Sequence, residues 1–128
     1  MYLPIETMKK TQIGSIGEDL AVHYLVAEGY SIQARNWRSG RKEIDIIAAK
    51  GDLVVFVEVK FRRSSRHGHP EEFVDARKQA HLIQAATAWL AASGHEKEIR
   101  FDIIAILGDN SQENNLIHIP DAFFPFYG

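Results

Sequence analysis

Apolar residues recur at helical spacing through Ile13, Ile16, Leu20, Ala21, Tyr24 and Leu25, a period that predicts a first helix stopped by Gly29 in the left-handed conformation. Residues 1–10 show no clear period and read as a loosely ordered leader. Tyr30 to Trp37 alternates loosely, as a strand does, and Ser39-Gly40 supplies turn chemistry. Two strands follow, from about Glu43 to Ala49 and from Leu53 to Phe61, and Arg62 to Pro70 reads as an exposed loop rich in Ser, Gly, His and Arg. Val74, Lys78, Leu82, Ala85 and Trp89 then fall on one helical row that Gly94 ends. Arg100 to Leu107 is a strongly apolar strand, and a helix between two strands predicts a crossover with parallel pairing. A weaker strand occupies Asn115 to Ile119. The order αβββαβ, with that last strand added, is an α/β fold: one domain over residues 11–119 with a mixed central sheet flanked by helices, and a tail over 120–128.

The middle hairpin carries the chemistry. If Gly51-Asp52 is a two-residue turn, Asp45 lies directly opposite Glu58 and Glu43 opposite Lys60. Side chains alternate along a strand, so all four project to one side, while Ile44, Ile46, Ala48, Val55, Val57, Val59 and Phe61 make the other face apolar. Toward the turn, Ile47, Ala49, Val54 and Phe56 make the first face apolar as well. The sheet is therefore expected between two helical layers, with the polar group at one end.

Opposed Asp45 and Glu58 would hold like charges with Cβ atoms roughly 4.5 to 5.5 Å apart, which is destabilising unless something compensates. A divalent cation, Mg²⁺ or Mn²⁺, would do so: Mg²⁺ takes oxygen ligands at about 2.0 to 2.1 Å and often only one or two carboxylates, leaving room for water and phosphate. Lys60 would then stabilise charge on the phosphate or position the attacking water. The competing reading is an ion pair in which Lys60 neutralises Glu43 and Glu58. The residues alone weigh the two about equally.

Composition narrows the setting. At 128 residues, 45% apolar and 25% charged, the chain matches an ordinary globular domain. It has no apolar run of membrane-spanning length, and its N-terminal stretch lacks the charged start and apolar core of an export signal, so a cytoplasmic protein without membrane partners is expected. The absence of cysteine excludes disulfide and thiolate chemistry. A net charge of −2 conceals a basic run, Lys60, Arg62, Arg63 and Arg66, that starts on the site strand. Taken alone such a run is a solvated loop; beside the acidic group it predicts phosphate contacts from Arg62, Arg63 and Arg66.

Asp45 followed by Glu58-Val59-Lys60 resembles the PD-(D/E)XK nuclease signature, an acid on one strand and E-x-K on the next. The wider set, Gly17-Glu18 with Ala21 and Tyr24-Leu25, Gly29-Tyr30, Arg35-Asn36-Trp37-Arg38, Glu43-Ile44-Asp45-Ile46-Ile47-Ala48, Val55 to Lys60 and Arg100-Phe101-Asp102, is similar to the YraN family of endonuclease-like bacterial proteins, over nearly the whole chain beyond the leader. It also resembles, more loosely, the archaeal-type Holliday junction resolvases. The resemblance implies a restriction-endonuclease-like core, with Asp45, Glu58 and the Val59 carbonyl as metal ligands and Lys60 as the catalytic lysine. Ile44 stands where the signature has proline, and Lys42 where the family has glycine before Glu43.

The same likeness adds Glu18 as a further acid from helix one. Ser15-Ile16-Gly17-Glu18 equally fits a capping box, a reading that fails if the helix starts near Thr11. Lys78 should lay its stem on the core with the ammonium at an edge, within reach of nucleic acid. Asp102 alternates with apolar neighbours as a supporting acid, and His67 and His69 do not make a zinc site. The function expected is metal-dependent hydrolysis of phosphodiester bonds in DNA, branched or structured forms included, read through backbone and shape; the alternative is a non-catalytic nucleic-acid-binding or scaffold protein on the same fold. A homodimer is compatible with either.

Overall fold

The first helix, α1 (Lys10–Ala27), ends where Gly29 takes φ 95° and the Tyr30 N–H closes back on the Leu25 carbonyl at 2.9 Å. These coordinates belong to a computed structural model that describes residues 10–62, 74–108 and 114–123. The chain continues through β1 (Ser31–Ser39), β2 (Lys42–Lys50), β3 (Leu53–Arg62), α2 (Ala76–Ser93), β4 (Ile99–Gly108) and β5 (Asn114–Ile119). Each predicted element is present, with bounds moved by one to a few residues. Arg63, Arg66, His67 and His69 lie outside the described residues, as does most of the 1–10 leader; Arg62 closes β3.

The five strands form one sheet in chain order. β1 to β2, β2 to β3 and β4 to β5 are antiparallel, while β3 and β4 run parallel because α2 carries the chain over between them. Asp75 caps α2 by accepting from the Lys78 N–H at 2.8 Å, and Gly94 at φ 74° ends it. The Gly51-Asp52 hairpin holds the expected register, from Lys50–Leu53 to Ile46–Val57.

Two apolar layers follow from strand alternation. Ala21 and Leu25 of α1 cover Ile46, Ala48, Val55, Val57, Ile104 and Ile106. On the opposite face Leu82, Ala85 and Ala86 of α2 cover Ile47, Val54, Phe56, Phe101 and Ile103. Gly17 of α1 faces the sheet, where a Cβ would make ordinary van der Waals contact with Phe61 and Ile106 at 3.7 Å.

One expectation is corrected. Strict alternation would bury Ile44 with Ile46, but Ile44 packs with the α2 layer beside Ile47 and Phe56. β2 changes face at Asp45. The ladder to β3 stops at Ile46–Val57, and the Val59 N–H donates instead to Asp45 Oδ2 at 2.8 Å. On the other side the β1 ladder steps from Arg35–Ile46 to Trp37–Ile44, skipping Asn36, whose φ is 50°.

Candidate metal centre

This break in the sheet separates the four hairpin residues that strict alternation would have put together. Glu43 is not laddered against Lys60; it faces Arg38 across β1, with Arg38 Nη2 at 3.1 Å from its carboxylate. Glu18, Glu43 and Asp45 each bring one oxygen within 4.8 Å of the others, one from α1 and two from β2. Because α1 begins at Lys10, Glu18 is a mid-helix residue and the capping-box reading of Ser15 to Glu18 fails. Its carboxylate is held by Asn36 Nδ2 at 3.3 Å and approached by Arg35 at 3.9 Å.

Glu58, on β3, is the carboxylate whose charge acts most on Asp45. It is 5% exposed, and Lys60 and Lys78 both reach Oε1 at 3.6 Å. Its second oxygen, Oε2, is buried and has no hydrogen-bond partner among the described residues. A buried carboxylate oxygen left bare is a costly arrangement that native structures rarely keep without cause. Burial, and then the neighbouring charge of Glu58, push Asp45 up to about 7, against the pull of the Val59 N–H. Burial likewise pushes Glu58 upward, opposed by Lys78 and Lys60.

The arrangement is thus a group of three carboxylates, Glu18, Glu43 and Asp45, with Glu58 outside that group but electrostatically coupled to Asp45; Arg35 and Arg38 stand by Glu18 and Glu43, and Lys60 and Lys78 by Glu58. Among the described residues no lysine or arginine pairs with Asp45 at the centre. Oxygen donors from three elements, one buried and bare, suit a hard divalent cation. The Lys60–Glu58 contact foreseen by the ion-pair reading exists, yet it engages only one oxygen of Glu58 and none of Asp45. Lys78 comes to the same carboxylate from the first turn of α2, where Asp75 anchors its backbone.

Three features escaped the sequence: the Arg38–Glu43 pair, the Asn36 clasp on Glu18, and a second buried polar cluster. In that cluster Arg100 donates twice to Asp102, at 2.7 Å each, and once to Tyr30 Oη. His118 Nε2 meets Asp102 at 2.6 Å, and its Nδ1 meets Tyr24 Oη at 2.9 Å. An Asp flanked by apolar strand residues was the visible signal, but beyond Arg100 of its own strand the cluster draws on α1, the residue before β1, and β5. No alternation pattern connects those elements.

Residues 17–106 match the uncharacterised protein family UPF0102. A UPF0102 protein of Rhodococcus jostii is 46% identical over 112 residues, covering 87% of this chain and 95% of the relative. One of Bacteroides thetaiotaomicron is 42% identical over 114 residues, with 89% and 93% covered. Another, of Trichlorobacter lovleyi, is 41% identical over 123 residues, with 94% and 97% covered. No helix among the described residues is long and apolar enough to cross a membrane.

Proposed function

The chain belongs to the UPF0102 family, the YraN family of the sequence resemblance, and from the site that this member carries we propose that it is a divalent-metal-dependent endonuclease hydrolysing phosphodiester bonds in DNA. The observation that carries the reading is the buried Glu58 Oε2, without a hydrogen-bond partner among the described residues, on a carboxylate coupled to Asp45 of the Glu18–Glu43–Asp45 group. The αβββαβ order, with the acid within one strand where its ladder to the next stops, and Glu58-Val59-Lys60 on that next strand, supports a restriction-endonuclease-like core.

Asp45 and Glu58, with the Val59 carbonyl, would hold Mg²⁺ or Mn²⁺, and Glu18 and Glu43 would complete the shell directly or through water. The cation, when bound, would polarise a water for attack and neutralise charge on the scissile phosphate. The chain's own residues do the rest. The Val59 N–H fixes one oxygen of Asp45 and so aims the carboxylate. Lys60 stands over Glu58 Oε1, where an ammonium can stabilise charge that develops on the phosphate. Lys78 shares that oxygen from α2 and adds a second positive charge on the same side. Arg62, Arg63 and Arg66 would extend the contact along the backbone, independent of base identity.

The test has two parts. Calorimetric titration should show Mn²⁺ binding to the wild type and at least tenfold weaker binding to Asp45→Asn. Cleavage should be assayed over linear, single-stranded, flapped and four-way DNA, with Asp45→Ala as control. Equal Mn²⁺ affinity in both proteins removes Asp45 from the site. Metal binding without cleavage of any substrate favours the non-catalytic alternative.

A further inference from the structure

The hairpin joining β1 to β2 is basic from end to end: Arg35, Arg38, Arg41 and Lys42 precede Glu43, and β1 carries no carboxylate. Arg35 is occupied by Asp19 at 2.8 Å. Arg38 differs: its side chain is 70% exposed, and its one ionic partner among the described residues is Glu43. That carboxylate also belongs to the Glu18–Glu43–Asp45 group. Arg41 is exposed in the two-residue loop closed by the Ser39–Lys42 pair.

We propose that this hairpin tip is a second contact for the DNA backbone, and that Arg38 couples it to the cation site through Glu43. The inference rests on the proposed function. A divalent cation drawn to the carboxylate group withdraws negative charge from Glu43 and loosens its hold on Arg38. The freed guanidinium presents a planar fork that matches a phosphate in two-point geometry. The converse follows by linkage: a phosphate that takes Arg38 leaves Glu43 available to the cation, so each ligand tightens the other by the same factor. Arg38 reaches Glu43 from β1, whereas Lys60 and Lys78 both contact Glu58 Oε1, so the two cationic groups hold different carboxylates and would take separate phosphates.

DNA affinity should be measured with the full chain and a short duplex, in EDTA and in Ca²⁺, for wild type, Arg38→Gln and Glu43→Gln. Ca²⁺ should tighten wild-type binding about fivefold or more. Arg38→Gln should weaken binding, lower the salt slope by about 1 and shrink the Ca²⁺ response. Glu43→Gln should bind DNA more tightly than wild type in EDTA, because Arg38 is released, and should also lose most of the Ca²⁺ response. Unchanged melting temperature in Arg38→Gln verifies folding of that exposed substitution. If the wild type binds DNA and Arg38→Gln matches it in affinity, salt slope and Ca²⁺ response, the hairpin is not in the interface and the inference falls while the endonuclease reading stands. If the wild type binds no DNA in either buffer, both fall.

Discussion

Glu58 carries two lysines on one oxygen and none on the other, and this asymmetry divides the labour among the side chains around it. Lys60 extends from β3 itself, next to the Val59 carbonyl proposed as a ligand, whereas Lys78 arrives from a helix on the α2 face. An ammonium fixed beside the reacting phosphate contributes mainly as charge develops, so its loss should lower turnover rather than binding. Lys60→Ala should therefore cleave about 10²- to 10³-fold more slowly, with DNA affinity in Ca²⁺ and the melting temperature near wild type. Rate measurements under saturating substrate will check it, and wild-type turnover in Lys60→Ala would remove the lysine from the chemistry. Asn36 makes a complementary point at this scale. A left-handed residue inside a strand is uncommon outside glycine, and asparagine tolerates it best. Here the conformation coincides with the unpaired step of the β1 ladder opposite Asp45, with the register the same on either side, and the amide reaches Glu18. The sequence displayed Asn36 plainly but not its backbone angle, because asparagine occupies the ordinary strand region as well as the left-handed one.

Elements were legible where one period dominated. The Gly51-Asp52 turn set the register of β2 on β3, and α2 between two apolar strands required the parallel crossover. Legibility failed where a side chain replaced a backbone hydrogen bond: Asp45 takes the Val59 N–H, β2 turns over, and Ile44 joins the opposite layer. Alternation assumes an uninterrupted ladder, and the site lies where the ladder is interrupted. The same interruption explains why Glu43 faces Arg38 rather than Lys60. The start of α2 gives a test at this scale. Asp75 accepts the Lys78 N–H and so ties the first turn, including the backbone of a Glu58 partner, to the helix entry. Asp75→Ala should cost about 1 kcal/mol of folding stability, with Asp75→Asn or Asp75→Ser recovering most of it. Urea midpoints at constant slope would measure the loss. No change in Asp75→Ala would mean that packing of Leu82, Ala85 and Ala86 alone sets the helix.

Across the whole molecule, two acids inside one sheet pull stability in opposite directions with pH. Asp102 is buried, which alone would raise its pKa, but His118, Arg100 and the Asp121 N–H bond its charged form and hold it below the ordinary 3.8. Its contribution is present above the unfolded value and is lost as pH falls through the folded one. Asp45 is the reverse case, raised from 3.8 to about 7 by burial and by Glu58. The folded protein then binds the proton more tightly than the unfolded chain, so the contribution is complete below 3.8 and is lost as pH rises through about 7. Metal-free protein should consequently lose stability from mildly acid to neutral pH, through the acid at its centre and not through the Asp102 cluster. Asp45→Asn keeps an oxygen for the Val59 N–H and removes the charge. It should match the wild type near pH 4 and melt progressively higher than it toward pH 8. Asp102→Asn should instead melt lower at neutral pH, by the equivalent of about 3 kcal/mol for a broken buried pair, and the deficit should narrow on acidification. Mn²⁺ binds the deprotonated carboxylates, so it should raise the wild-type curve most at the alkaline end and leave Asp45→Asn nearly unmoved. Melting curves at half-unit pH intervals, with EDTA and with Mn²⁺, separate these effects. Parallel wild-type and Asp45→Asn curves in EDTA would show that the central carboxylate is not strained, and the case for a cation to relieve it would be lost.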